Sequence, residues 1–375
     1  RDPKAAERFA LKQSQAFVDQ MEGFALELED ELMNFSDVSY KSFVKSESEI
    51  ITLFYDKFAD IPLLSRMDAV AETFIDEIET LLNRDLPEEE RIPLIEKFQK
   101  MYETMDFYVL YNRFLKKEGY QTLPRRPLEK RKLRYEDVYP VLYLKYRLSR
   151  QAERSNIKHL VIDEMQDYSR LQYLIIRRMF SCKMTILGDR AQTMADQQQD
   201  VLQFLPGIFG KDLRRIEMRK SYRNTVEIAS YAANLIGVTD LELFERHGMP
   251  VLERDVTDLE AALREAVDTL FPDEKTYETA AVIVPDEKTA ERAYLILREI
   301  LSEKDFDCEK RLSWLNRDSS SFKKGLTVTT FYLAKGLEFD QVFSIFPKDE
   351  KREIMMQAQY IAATRALHEL RVYHI

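Results

Sequence analysis

The chain has 375 residues and a mass of 44.4 kDa, too long for one ordinary core, so two or more domains are expected. Hydrophobic residues make up 45% and charged residues 33%, with 22 Phe and 19 Tyr; this supports large buried cores and excludes a mostly disordered chain. A formal net charge of -10 disfavours a protein that is basic over its whole surface and leaves room only for a local basic track.

Residues 1–150 read as helical. Between Pro3 and Leu32, apolar residues recur at three- and four-residue spacing, as in Phe9, Phe17, Met21, Phe24 and Leu28. A second helix is predicted over Ala69–Leu82. A third starts at the acidic Pro87-Glu88-Glu89-Glu90 and runs towards Lys117, with Gly119 as its stop and Pro93 as a bend. The basic stretch Pro124 to Lys132 separates these from a helix over Tyr135–Leu148.

The pattern changes at Asn156. Lys158–Ile162 reads as a buried strand ending in Asp163-Glu164, followed by a helix capped by Ser169 or Asp167 and a second strand, Met184–Leu187. Alternating strands and amphipathic helices argue for a parallel sheet covered on both faces. After Gly207, Arg215–Met218 is strand-like and Asn224 begins a helix, with Glu227 in capping-box order. Strands are predicted over Ala280–Val284, Leu326–Phe331, Val342–Phe346 and Leu370–Tyr373. Helices are predicted over Thr289–Leu301 and Ile354–Leu367, and Asn316–Lys324 as a loop. The expected fold class is α/β, divided at 1–150 (helical accessory region), 151–206 and 207–375 (two sheet-bearing lobes).

Several classes fall away on composition. Two cysteines, Cys182 and Cys308, and four histidines exclude a disulfide scaffold and a Cys/His zinc site. No run approaches the roughly 18 apolar residues of a membrane span, and the opening RDPKAAERFALKQ has no apolar signal core. A soluble cytoplasmic protein without a membrane partner is therefore expected. Only nine glycines occur, and the one Gly-Lys pair, Gly210-Lys211, is followed by Asp212; a GxxxxGK[ST] phosphate loop is not present in these residues. Because the chain opens on Arg1, a fragment or a processed product is expected.

The strings at the strand ends carry the chemistry. Val161-Ile162-Asp163-Glu164-Met165-Gln166-Asp167, Leu187-Gly188-Asp189-Arg190-Ala191-Gln192, Lys220 to Thr225 (KSYRNT), Thr330 to Phe339 (TFYLAKGLEF) and Tyr360 to Ala366 (YIAATRA) occur in this order. They resemble the second to sixth motifs of the UvrD/Rep-like superfamily 1 DNA helicases. The flanking residues, with Tyr135-Glu136-Asp137 and Tyr143-Leu144-Lys145, are most similar to the HelD and helicase IV branch. The resemblance covers roughly residues 150–375 and implies two RecA-like lobes, the first incomplete, with a helical insertion. It implies ATP and Mg2+ as cofactors, DNA (single-stranded or forked) as partner, and RNA polymerase as a further partner on the HelD side. The phosphate loop would precede this chain in the missing N-terminal part of its own motor, so residues 1–375 alone are not expected to turn over ATP.

The resemblance also implies roles. Asp163 would hold the metal, and Glu164 would be the catalytic base. Gln192 would sense the γ-phosphate, and Arg223 and Arg365 would stabilise charge developing on it. Tyr222 would stack on adenine, with Glu338 and Asp189 completing the nucleotide-binding set. Plainer readings stand beside these: Arg365 in an i,i+4 pair with Glu369, Tyr222 as a core aromatic, and Gln192 as a turn residue. The rings of Tyr102–Phe114 read as packing before they read as a base-stacking platform. Tyr332 and Leu333 stand where the family has histidine and a small polar residue, and Thr193–Gln197 lacks the usual aromatic, so the departures fall on the nucleic-acid side. The function implied is the C-terminal part of an ATP-dependent helicase or translocase. The alternatives are a HelD-like ATPase that remodels or recycles RNA polymerase, and a non-hydrolysing interaction domain.

Overall fold

A computed structural model describes residues 3–150, 156–189, 201–218, 220–238, 242–271, 277–304, 306–317, 319, 324–348 and 353–375. Its contacts divide the chain into two compact units, residues 1–188 with 199–213, and residues 189–198 with 214–375. The 1–150 stretch and most of the 151–206 stretch, expected as separate parts, fall in one unit, which continues past 206 to Leu213, while Asp189 groups with the second unit.

The first unit opens with α1 (Pro3–Gln13) and α2 (Gln15–Glu31). One helix was predicted over this stretch; it breaks at Ser14, whose hydroxyl accepts from the Phe17 amide at 3.2 Å and caps the second half. The apolar stripe of α2 (Phe17, Met21, Phe24, Leu28) is buried as its spacing required. A short hairpin, β1 (Val38–Tyr40) and β2 (Phe43–Lys45), leads into α3 (Glu47–Thr52), started by a Ser46–Glu49 capping box. α4 (Arg66–Leu82), α5 (Glu88–Gln99), α6 (Phe107–Lys117) and α7 (Tyr135–Leu148) follow.

The predicted helix from Pro87 to Lys117 is two helices. Tyr102 interrupts it by placing its hydroxyl in the core, where it donates to the Leu63 carbonyl at 2.5 Å and accepts from the Met67 amide at 3.2 Å. Asp106 then restarts the helix by capping the Tyr108 amide. Pro93 sits inside α5 without ending it. The rings of α6 pack inward: Phe114 meets Phe17 edge-on at 5.2 Å and stacks near Tyr111 at 6.1 Å.

β3 (His159–Ile162) and β4 (Lys183–Ile186) form a two-stranded parallel sheet, joined by α8 (Arg170–Met179). Ser169 caps α8 in a reciprocal box with Gln172. Leu171 and Ile175 of α8 enter the helical core, while Tyr173 packs with Ile162 and with Phe204 and Leu205 of α9 (Val201–Phe209). This shared helix is why the helical stretch and the strands form one unit.

Residues 215–218 are not a strand. Ile216 and Met218 are more than four-fifths exposed and pair with nothing in a sheet. The second unit starts with β5 (Lys220–Ser221), α10 (Val226–Leu235) and β6 (Glu242–Leu243). Thr225, not Asn224, caps α10, accepting from the Ile228 amide. Glu227 turns away from the expected box to accept from His247 Nδ1 at 3.0 Å and the Gly248 amide at 2.9 Å; the His247 contact, the first of these influences, holds its carboxyl at about 2.

β7 (Leu252–Asp255), α11 (Leu259–Asp268), β8 (Thr279–Val284), α12 (Glu287–Ser302), α13 (Cys308–Arg311), β9 (Leu312–Trp314), β10 (Gly325–Thr330), β11 (Phe339–Phe346), α14 (Glu353–Thr364) and β12 (Ala366–His374) complete it. Six strands form one wholly parallel sheet in the order β7-β12-β11-β8-β10-β9. Ala280, Val282 and Val284 face a core shared with α11 and α12; Ala281 and Ile283 face the core of α10 and α14. Burial on both faces explains the near-continuous apolar run. The last helix was predicted to Leu367, but β12 begins at Ala366, paired with Phe339. The chain is thus α/β, as expected. Among the described residues no helix is long and apolar enough to cross a membrane.

Truncating Phe17 to alanine removes the ring that contacts Phe114 and Tyr120. Phe17→Ala should destabilise the first unit by about 3–5 kcal/mol, read by urea unfolding. A loss below about 1 kcal/mol would contradict the packing described.

Candidate functional site

Asp163 and Glu164 follow β3 at its carboxyl end, where parallel sheets place their ligands. The strand end is rigidly made. Leu187 donates its amide to the Ile162 carbonyl and Met165 to the Leu187 carbonyl, both at 2.8 Å, so the two strand exits are laced together. Gly188 is required there: a Cβ would lie 2.4 Å from Gln166 Oε1 and 2.6 Å from the Met165 nitrogen. Gln166 is buried and donates Nε2 to Glu164 Oε2 at 2.6 Å. Glu164 itself adopts φ 52°, ψ 49°, the left-handed region, at a cost of roughly 1 kcal/mol or more for a residue with a Cβ.

Asp163 is exposed. Its Oδ1 accepts from the Glu164 amide at 2.8 Å. No cluster of three His, Cys, Asp or Glu side chains converges among the described residues. A protein cage for a metal is therefore not formed by them. A single exposed carboxylate does fit magnesium, which keeps several waters and is commonly held by one or two carboxylates and substrate phosphates. Gln192 lies outside the described residues.

Tyr222, Arg223, Glu338 and Arg365 belong to the second unit. Tyr222 is 59% exposed, with Phe244 at 5.6 Å on one side and Lys220 Nζ 5.5 Å from its ring. The core-aromatic reading is thereby excluded. Arg223 is half-exposed and its Nε meets Glu338 Oε1 at 2.8 Å. Arg365 is 2% exposed; Nη1 donates to the Leu337 carbonyl at 3.3 Å and Nη2 to Thr364 Oγ1 at 3.2 Å. Both of these acceptors are neutral oxygens of the second unit. The i,i+4 partner considered for it, Glu369, lies on β12 and bonds Arg371 and Gln341 instead. Asp189, grouped with the second unit, accepts from the Tyr360 hydroxyl at 2.8 Å; burial, and then Asp189, push that phenol up. Gly336 supplies the turn of the fifth motif at φ 79°, and Tyr332 packs edge-on against Phe331.

Two residues here have no sequence signal. Phe244 sits beside Tyr222, and Arg246 donates to His368 Nδ1 at 2.7 Å. His368 Nε2 faces Asp340 Oδ1 at 3.7 Å, and Tyr277 meets the ring edge-on at 5.8 Å.

A parallel sheet with an acidic pair at one strand end, and a second parallel sheet bearing arginines in its loops, make this an α/β protein built on parallel sheets with polar residues at their strand exits. The description "UvrD/REP helicase N-terminal domain" matches residues 6–194, half of the chain, and the chain belongs to that family. Among solved structures it is 24% identical to the C-terminal domain of a possible DNA helicase from Lactobacillus plantarum WCFS1, covering 41% of this chain and 88% of that one with a TM-score of 0.33. The PRRSV helicase is 14% identical over 71% of this chain and 45% of its own, with a TM-score of 0.34. An arterivirus nonstructural protein 10 helicase in complex with DNA is 13% identical over 71% and 51%, with a TM-score of 0.32. The chain spans about half the length of those viral helicases. No curated protein matches the chain.

His368 accepts from Arg246, so its neutral form is favoured. Burial, then the nearby guanidinium, lower its pKa from 6.5, with Asp340 opposing. The neutral ring therefore adds stability above about pH 6.5, lost as pH falls through the lowered value. The C2 proton resonance of His368 should titrate below 6.5, and Arg246→Ala should move it back up. A midpoint at or above 6.5 in the native protein would contradict the contact.

Proposed function

We propose that this chain is part of an ATP-driven superfamily 1 motor that moves on DNA. The observation that supports it most is the strand end at Asp163-Glu164, held in a strained backbone by Gln166 and a glycine that tolerates no side chain. In this reading Asp163 holds Mg2+, which when bound neutralises charge developing on the transferred phosphate. Glu164 orients the attacking water and takes its proton. Gln192 contacts the same water. Tyr222, with Phe244 beside it, stacks on adenine, and Glu338 and Asp189 complete the nucleotide contacts.

Arg223 meets the γ-phosphate directly by exchanging Glu338 for it. Arg365 exchanges the Leu337 carbonyl and Thr364 hydroxyl for phosphate oxygens, because charged acceptors bind a guanidinium more strongly than neutral ones. Steady-state phosphate release by the full-length protein tests the reading. Glu164→Gln should lower kcat by at least about 100-fold with little change in the KM for ATP, and turnover near the native rate would defeat it.

Nucleic acid is assigned to the basic segment 123–134. Arg125, Arg126, Lys130 and Lys132 are exposed, whereas Arg131 is tied to Asp106 at 2.5 Å and stacks on Tyr108, and Arg134 bonds Gln121. Arg131 and the Tyr108–Pro124 bond at 2.7 Å hold the segment in place. With four contacted phosphates, the logarithm of affinity for single-stranded DNA should fall with log salt by a slope of about 3. Replacing all four by serine should remove that slope; an unchanged slope would make the segment ordinary surface. The second reading, a HelD-like ATPase acting on RNA polymerase, is favoured by the net charge of -10 and by Tyr332 and Leu333 in the fifth motif. Tight polymerase binding with negligible unwinding would select it.

A further inference from the structure

Arg246 carries no motif, yet it touches two of the segments that do. Its Nη1 donates to the Arg223 carbonyl at 3.1 Å, and its Nη2 donates to the Leu367 carbonyl at 3.1 Å and to His368 Nδ1. Its own carbonyl accepts from the amide of Val226, at the start of α10, at 2.9 Å. The loop that carries it fits closely between the same segments. A Cβ on Gly248 would stand 2.5 Å from Thr225 Cγ2 and 3.2 Å from the His368 carbonyl.

These contacts close a ring. Arg223 pairs with Glu338, whose neighbour Leu337 accepts from Arg365. Arg365 accepts at its own carbonyl from the Phe339 amide at 2.9 Å and is followed by Ala366 and Leu367. Leu367 is bonded to Arg246, which returns to Arg223. Asn224 crosses the ring, donating Nδ2 to the carbonyls of Ala366 at 2.6 Å and Thr364 at 3.3 Å. Three stretches distant in the chain, 222–225, 337–339 and 364–368, are thereby one body.

We infer that Arg246 is a positioning residue: its forked guanidinium fixes the backbone of Arg223 to the turn that carries Arg365, so that both arginines are presented together. The fork is what matters, since a planar guanidinium reaches two carbonyls at once and an ammonium on a single stem does not. Two of its acceptors are backbone oxygens, so these contacts fix the chain itself and leave the Arg223 side chain to act. The presentation of Arg223 to a phosphate rests on the reading proposed above; the clamp between the two segments does not.

Two measurements on the full-length protein separate these. The first is amide hydrogen exchange in Arg246→Ala, which keeps the backbone carbonyl. The Val226 and Phe339 amides should both exchange about tenfold faster, the scale of losing one or two such bonds, with β8 unchanged. Acceleration at Val226 alone overturns the clamp. Arg246→Lys should behave like Arg246→Ala, and restoration of native exchange by lysine overturns the role of the fork. The second is ATP hydrolysis. Arg246→Ala should lower kcat about tenfold with KM nearly unchanged, and Arg223→Ala with Arg246→Ala should lose clearly less than the product of the two single losses, as for residues acting as a unit. Additive losses overturn positioning. If Arg223→Ala leaves kcat unchanged, the reading of Arg223 as a phosphate contact fails, while the exchange result still decides the clamp.

Discussion

Two short parallel strands do not hold themselves together in water, and the β3–β4 pair depends on α8. That helix buries Leu171 and Ile175 in the helical core and Tyr173 in the core beneath Ile162. Glu22 of α2 adds a polar tie, accepting from Arg147 of α7 at 2.9 Å and Arg178 of α8 at 3.0 Å. The acidic strand end is therefore anchored through a ten-residue helix that contributes side chains to both cores. The helical stretch is in this sense the foundation of the site and not an appendage to it.

The second unit solves a different problem, holding arginine-bearing loops in register on a sheet that is buried on both faces. The Arg223–Glu338 pair contributes little to this, because both side chains are nearly half exposed and such pairs are worth roughly 0–1 kcal/mol. The register comes from contacts to backbone carbonyls by Asn224 and Arg246, where leaving an acceptor unpaired is costly. Weak, exposed pairing at Arg223 suits the exchange of partners proposed for it; strong backbone ties suit the frame around it.

What the sequence discloses follows the same physics. Helix α7 and strands β8 and β10 are visible because their patterns are dictated by burial: a repeating stripe in the first, an apolar run in β8, and β-branched residues with leucine in β10. The break before α6 is hidden because a tyrosine hydroxyl sits in the core, and no periodicity announces that. Asn224 and Thr225 are both good caps, and only the carbonyls of Thr364 and Ala366, 140 and 142 residues on, decide between them. Ile216 and Met218 look like strand residues and are exposed. The placement of Asp163 and Glu164 at a strand end, and of Tyr222 and Arg223 just before a helix, is legible from the sequence. The burial of Arg365 and the places of Phe244 and Arg246 are not, since each depends on a neighbour far away in the chain.

Glu164 holds a backbone conformation that glycine or asparagine would adopt more readily. The fold therefore carries a small standing penalty at the residue proposed to do the chemistry. Selection for heat resistance alone would drift towards replacing it, improving the scaffold while erasing the activity. A carboxylate at this position in a more heat-resistant variant would have to be offset by gains elsewhere in the unit.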